Sequence, residues 1–305
     1  MTSLARTPEP LIDPAGPLTP TGNLRRRLLV SRALQGGATL AAVIAVAALG
    51  LVTFDVVKSG AGAISLNFLI KDPAAVGYGG GIASAVVGTV IIVGIATVIA
   101  APIGILIALF LVEFAPSTSR VARVLRTALD LMQGIPTIVV GIFILGLIVI
   151  PEHKDSGFAG SLALAIIMLP LIARSSQEVL RTVPSTLREA ADALGVDRWR
   201  AILTVILPSA LGGIVTGTII ALARAAGETA PLLAVDSTYG NATTLNPFGP
   251  MPNIPVSIWT ASESADPSGF TKTWGEALVL LALILLANIG ARMLLARSRR
   301  KMLGG

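Results

Sequence analysis

The sequence predicts an all-α polytopic membrane protein with six transmembrane helices. Of its 305 residues 53% are hydrophobic and only 13% are charged, about half the charged share of soluble domains. Six apolar stretches, 34–55, 82–105, 131–150, 159–179, 211–234 and 275–296, can each cross ~30 Å of hydrocarbon, for which a helix needs about 20 residues. The cations, mostly arginine, gather in alternate connections between these stretches, as the topology of a multi-span protein requires.

Taken in order, residues 1–33 are expected to form a disordered cytoplasmic tail. Residues 1–24 are rich in Pro, Thr and Gly and carry no apolar periodicity, and such a composition cannot bury enough surface to fold. Arg25-Arg26-Arg27 then precedes the first apolar run. A signal peptide is the competing reading, but no small-residue cleavage site is evident and more spans follow. The six-span domain is expected over 34–296. Its second span continues through Pro102 and Gly104 to Phe114 and is expected to kink or tilt. Gly134-Ile-Pro136 is expected to break or kink the start of the third. Gly213 and Gly217 in the fifth form a small-xxx-small pair suited to close helix packing. A basic tail, 297–305, closes the chain.

Charge sets the orientation. With the N-terminus inside, the cytoplasmic segments hold Arg25, Arg26, Arg27, Arg32, Arg120, Arg123, Arg126, Arg181, Arg188, Arg198, Arg200, Arg297, Arg299, Arg300 and Lys301. The opposite side holds Lys58, Lys71, Lys154 and Lys272. This asymmetry places both termini in the cytoplasm of a chain lodged in the inner membrane. The net charge of +6 is thereby explained by helix orientation and anionic membrane lipid, and no nucleic-acid partner is implied. On the outer side, 56–81 ends in Gly77-Tyr-Gly-Gly-Gly81, a flexible lead into the second span. The segment 236–274 carries Pro247, Pro250, Pro252 and Pro255 and reads as a long loop able to meet an extracytoplasmic partner. Its Asn241-Ala-Thr243 matches a glycosylation sequon, a motif frequent by chance. Trp259 and Trp274 suit the outer interface.

Several chemistries are excluded. The chain has no cysteine and one histidine, His153, so disulfides, thiolate nucleophiles and multi-histidine metal sites are ruled out. No cofactor is expected. A phosphate-binding loop needs a lysine directly after glycine, and none of Lys58, Lys71, Lys154, Lys272 or Lys301 follows one. The chain is therefore not expected to be an enzyme, and ATP hydrolysis, if it drives this protein, belongs to another chain.

Between the fourth and fifth spans lies a polar excursion, 184–208. Thr186 and Glu189 have capping-box spacing. Leu187, Ala190, Ala191 and Leu194 recur at i, i+3, i+4 and i+7 as a narrow apolar stripe, and Gly195 suits a left-handed helix end. Trp199, Ile202 and Val205 or Ile206 form a second stripe ended by Pro208. Pattern alone leaves two readings open: an amphipathic helix resting on lipid headgroups, or a docking element for a soluble protein.

Glu189-Ala-Ala191, Gly195 and Leu207-Pro208 resemble the EAA loop of ABC importer permeases, with Val205 where that family usually has isoleucine. Ala223-Arg-Ala-Ala-Gly-Glu-Thr-Ala-Pro-Leu-Leu233 resembles the fifth-span signature of the phosphate-specific A-type permeases, the PstA family. Gly80-Gly-Ile82 with Gly88-Thr89, Val112-Glu-Phe-Ala-Pro116 and Gly134-Ile-Pro136 are similar to it as well. The likeness covers about 80–296. It implies a type I ABC importer permease fold and ATPase coupling through Glu189, Ala190, Ala191, Gly195, Leu207 and Pro208. The implied partners are a homologous C-type permease, two ATP-binding subunits, a periplasmic or lipid-anchored phosphate-binding protein, and phosphate itself.

Four charges lie at or near membrane depth. Arg224 and Glu228 stand one turn apart in the fifth span, and Arg174 and Glu178 repeat the spacing at the inner end of the fourth. Burying such groups costs roughly 2.5–3.5 kcal/mol each. An i, i+4 pair can compensate it, so a structural ion pair and a lining of the phosphate route both fit Arg224 and Glu228. A guanidinium matches two oxygens of phosphate, and the resemblance favours the route. Rivals are an ABC permease for sulfate or molybdate, an ion-driven secondary transporter, and a non-transporting membrane scaffold. Arg181 and Arg188 read as orientation charges.

Overall fold

The computed structural model describes residues 23–73, 80–116, 118–236, 242–263 and 267–303, with backbone alone at 267–269 and from 294 onward. No strand occurs among the described residues. The helices are α1 (Asn23–Gly60), α2 (Leu66–Ile70), α3 (Ala83–Leu109), α4 (Arg120–Gly134), α5 (Thr137–Ile144), α6 (Ile150–Glu152), α7 (Gly157–Thr182), α8 (Ser185–Ala193), α9 (Arg198–Ala201), α10 (Leu207–Ala226), α11 (Ala230–Val235), α12 (Ile254–Ser262) and α13 (Pro267–Leu303). A 3₁₀ turn, Ala61–Ala63, follows α1, and π-helical turns extend α3 (Phe110–Phe114), join α5 to α6 (Leu145–Val149) and join α9 to α10 (Ile202–Ile206).

Among the described residues five helices are long and apolar enough to cross a membrane, and six if the bent pair Arg120–Gly134 and Thr137–Glu152 counts as one span. The chain is a multi-pass membrane protein. It divides into two compact units, Met1–Asp55 and Val56–Gly305. The first is built on α1, which begins at Asn23. Residues 23–33, expected in the disordered tail, are thus helical, because Leu24, Leu28, Leu29 and Val30 extend the apolar run through the arginines. Residues 1–22 lie outside the described residues, as do Gly77–Gly79 and Asn241 of the sequon.

The second unit is organised by α3 against α7. Ala96, Ala100, Gly104 and Ala108 recur every fourth residue on α3 and are all buried. This small-residue stripe lets α7 approach closely, and Leu164, Met168 and Ile172 fill the interface with no exposed surface. A Cβ at Gly104 would lie 3.0 Å from Ile172 Cγ2. The α10–α7 contact uses the expected glycine pair: a Cβ at Gly213 would meet Val179 Cγ1 at 2.5 Å, and one at Gly217 would meet Ser175 Oγ at 2.2 Å. Gly213→Val and Gly217→Val should each destabilise the purified protein by about 1–3 kcal/mol through overpacking, read as a lowered Tm. Gly94→Ala, at a position with open space around it, should leave Tm unchanged.

Two expected spans end elsewhere. The third bends by 101° between Gly134 and Thr137, as Gly134-Ile-Pro136 suggested, since Pro136 has no amide to continue the ladder. The fifth does not run from 211 to 234. It runs from Arg198 to Ala226 and stops because Pro231 has no N–H for the carbonyl four residues back, that of Gly227.

The segment expected as a long outer loop folds partly inward. Residues 251–256 are buried, Met251 and Ile254 completely. A Cβ at Gly88 of α3 would sit 1.9 Å from Pro252 O, so the backbones touch there. Irregular backbone at depth needs internal partners. Asp236 Oδ1 accepts from Met251 N at 3.0 Å, its Oδ2 accepts from Asn253 Nδ2 at 3.3 Å, and Thr89 Oγ1 accepts from Ile254 N at 2.9 Å. Phe158 N and Gly157 N donate to Pro247 O and Gly249 O. Leu245 and Phe248 remain exposed.

Candidate functional site

The polar excursion is α8, a tight turn and α9. The expected capping box is not formed: α8 starts behind Pro184 with no side-chain cap, which puts Thr186 inside the first turn instead of ahead of it. The C-terminal end is as expected. Gly195 has φ +65°, Gly195 N donates to Asp192 O at 3.0 Å, and Val196 N donates to Ala191 O at 3.0 Å. That pair of bonds closes a left-handed helix stop of the kind glycine accommodates.

A buried carboxylate roots the excursion on α3. Glu113, 4% exposed, lies in the π turn after α3. Arg188 of α8 grips it from Nε at 3.2 Å to both carboxylate oxygens and from Nη2 at 2.7 Å to Oε1. The same guanidinium donates to Val183 O at 2.9 Å and Leu180 O at 3.1 Å, capping the end of α7. Arg198 Nη2 donates to the carbonyl of Glu113, and its guanidinium carbon lies 5.4 Å over the Phe114 ring. Phe114 in turn packs on Trp199 at 4.9 Å between centroids. Both α8 and α9 are therefore clamped to the end of α3, over a core of Ala108, Leu109, Leu180, Ile202, Ile206 and Ile214. Arg188, expected only to orient helices, is the fork of this clamp. Glu113 escaped the sequence reading, although it is the lone acid between Asp72 and Asp130 and ends an apolar run.

The rest of the α8 stripe is uncovered. Ala191 packs inward, but Glu189 and Ala190 are exposed, Leu187 is 37% exposed and Leu194 81%. Leu207 packs against the core beneath, and Pro208 occupies the first turn of α10.

Arg224 lies in the last turn of α10, and Glu228 in the break before α11. Arg224 Nε stands 3.7 Å from Glu228 Oε1, with the arginine side chain 60% exposed and the glutamate 18%. At that distance the two are an ion pair without a hydrogen bond. Arg174 and Glu178 are not brought together. Arg174 pairs with Asp130 of α4 and donates to Arg126 O at 3.1 Å and Gln177 Oε1 at 3.2 Å, while Glu178 is exposed. The sequence could not foresee this, because the α4 partner lies 44 residues away. Arg224 instead lines a cleft of about 150 Å³ with Gln133, Ile135, Thr137, Val140 and Pro170.

A second buried carboxylate, Glu276 of α13, accepts from Ser257 Oγ at 2.7 Å and lies 3.8 Å from Lys272 Nζ. It ties α12 to α13. Trp259 is exposed on α12, His153 is an exposed left-handed helix end, and no metal-holding cluster occurs among the described residues.

The family profile described as "Binding-protein-dependent transport system inner membrane component" matches residues 100–300. The chain is 37% identical over 253 residues to the phosphate transport system permease protein PstA 1 of Mycobacterium tuberculosis, covering 82% of this chain and 80% of that protein. It is 36% identical over 277 residues to PstA of Xylella fastidiosa, covering 90% and 96%. Among solved structures, the MetNI methionine ABC transporter in an inward-facing conformation aligns with a TM-score of 0.57 at 19% identity, over 71% of this chain and 94% of that one. That likeness concerns the fold alone, which is of the kind seen in that transporter's membrane subunit. The identities over most of both chains, together with the matched profile, make this protein a member of the PstA family of phosphate transport system permease proteins.

Proposed function

We propose that this chain is the membrane-spanning subunit of an ATP-driven importer of inorganic phosphate. It sits in the cytoplasmic membrane with both termini inside, paired with a homologous permease and served by two ATP-binding subunits. A periplasmic or lipid-anchored binding protein delivers phosphate on the outer side. The carrying observation is the state of α8: rooted by a buried ion pair, yet presenting Leu187, Ala190 and Leu194 with nothing over them. A helix held rigidly while its apolar stripe stays bare is built for a protein groove. Movement of that groove during the ATP cycle would pull α8, and through Arg188 and Glu113 the end of α3. Arg224 and Glu228, near a cleft and loosely paired, are the groups for an oxyanion, and Glu228 keeps the arginine partnered while the path is empty. Arg174, tied to Asp130, braces α7 against α4.

The test is Glu189→Arg in the assembled transporter. Reversing a charge beside the bare stripe should reduce co-purification of the ATP-binding subunit and phosphate uptake by about tenfold, equivalent to ~1.4 kcal/mol at an interface. Unchanged co-purification together with unchanged uptake would refute the coupling role.

A further inference from the structure

We propose that the cleft at the bend of the third span is an oxyanion site, in which Thr137 and Gln133 join Arg224 and select a protonated oxyanion, inorganic phosphate. The inference rests on the phosphate-import reading and names residues of its path. Polar groups at membrane depth need partners, and several threonines of the spans find them within their own helices. Thr89, Thr97, Thr216 and Thr218 each donate from Oγ1 to the carbonyl four residues back, at 2.8, 2.7, 2.8 and 2.9 Å. Thr137 has no such option. It opens α5 directly after Pro136, and its fourth residue back, Gln133, lies across the 101° bend. Among the described residues neither the Thr137 hydroxyl nor the Gln133 amide makes a hydrogen bond, and Arg224 has only the ion pair at 3.7 Å. All three line one cleft, Gln133 from its exposed rim, and the other walls include Ile135, Val140 and Pro170.

The donor set fits one ligand class. The Arg224 guanidinium and the Gln133 NH₂ donate to anionic oxygens, and Thr137 donates or accepts. The Gln133 carbonyl and the Thr137 oxygen are also acceptors, and an acceptor facing the anion needs a proton on it. Hydrogen phosphate carries one. Sulfate at neutral pH carries none, so it is held by the donors alone and gains no bond from an acceptor in the cleft.

The experiment measures [³²P]phosphate uptake by the complete transporter, normalised to assembled complex, with and without excess sulfate. Thr137→Val and Gln133→Leu should each lower uptake about tenfold, and Thr137→Ser should restore most of it. Sulfate should begin to compete in Gln133→Leu. If Thr137→Val prevents assembly, Thr137→Ala is compared with Thr137→Ser on the same terms. Wild-type uptake by the Thr137→Val/Gln133→Leu double variant, with Arg224→Gln still defective, would overturn the cleft and leave phosphate import standing. Absence of phosphate uptake by the wild-type transporter would overturn both.

Discussion

Glu113→Ala is expected to reduce phosphate uptake at least a hundredfold while the membrane bundle still folds. The carboxylate is almost fully buried and receives three hydrogen bonds from Arg188. Removing one member of a buried pair leaves the other charge uncompensated, at a cost of about 3–5 kcal/mol. Here that cost falls on the excursion, since Arg188 also caps α7 at Leu180 and Val183 and Arg198 leans on the Glu113 carbonyl. With α8 loosened, motion of a docked subunit would be absorbed locally instead of moving α3. The measurement is uptake alongside ATP hydrolysis in the reconstituted transporter. The expected signature is ATP consumption with little transport. Arg188→Met paired with Glu113→Leu, which removes both charges, should recover more activity than either Glu113→Ala or Arg188→Ala, because no buried charge is stranded. Full uptake in Glu113→Ala would show that the clamp is dispensable.

Arg224→Gln is expected to lower uptake by roughly a hundredfold without loss of assembly. Its side chain is mostly exposed and makes no hydrogen bond within the described chain, only a long ion pair to Glu228. Structural cost is therefore small. Functional cost follows from two charge-assisted bonds to an anion, worth about 1.5–3 kcal/mol each. Arg224→Lys should restore only part, since an ammonium lacks the two-pronged geometry. Uptake is the readout, with co-purification of the ATP-binding subunit as the check on assembly. A normal rate in Arg224→Gln would return the residue to the role of structural ion pair.

The fold class, the multi-span character and the bend at Gly134-Ile-Pro136 were legible because hydropathy and proline act locally. The same holds for Gly195, whose left-handed turn needs only a neighbouring helix end. What stayed hidden depends on distant segments. Arg174 chose Asp130 over Glu178 because α4 folds back on α7, a tertiary event that spacing along one helix does not report. Glu113 gained no role from the sequence because its partner, Arg188, lies 75 residues later. The inward turn of 251–256 was masked by prolines that suggest a solvated loop, whereas Asp236 and Thr89 supply the bonds that let it be buried. The capping box misled for a simple reason: the helix starts behind Pro184, two positions too early for Thr186 to cap it.

The helix from Arg198 to Ala226 is unbroken over 29 residues. Trp199 and Arg224 therefore stand on one rod, about 37 Å apart at ~1.5 Å per residue. Axial travel imposed at the indole is delivered at the guanidinium through the π turn at Ile202–Ile206 and the α10 rod beyond it. The phase between them is fixed too, since each α-helical residue turns the rod by ~100° and the π turn at Ile202–Ile206 adds one set offset. One residue added or lost anywhere between them would turn one end of the rod by ~100° against the other, swinging either the guanidinium out of its cleft or Ile202 and Ile206 out of the core, while hydropathy and length stay almost the same.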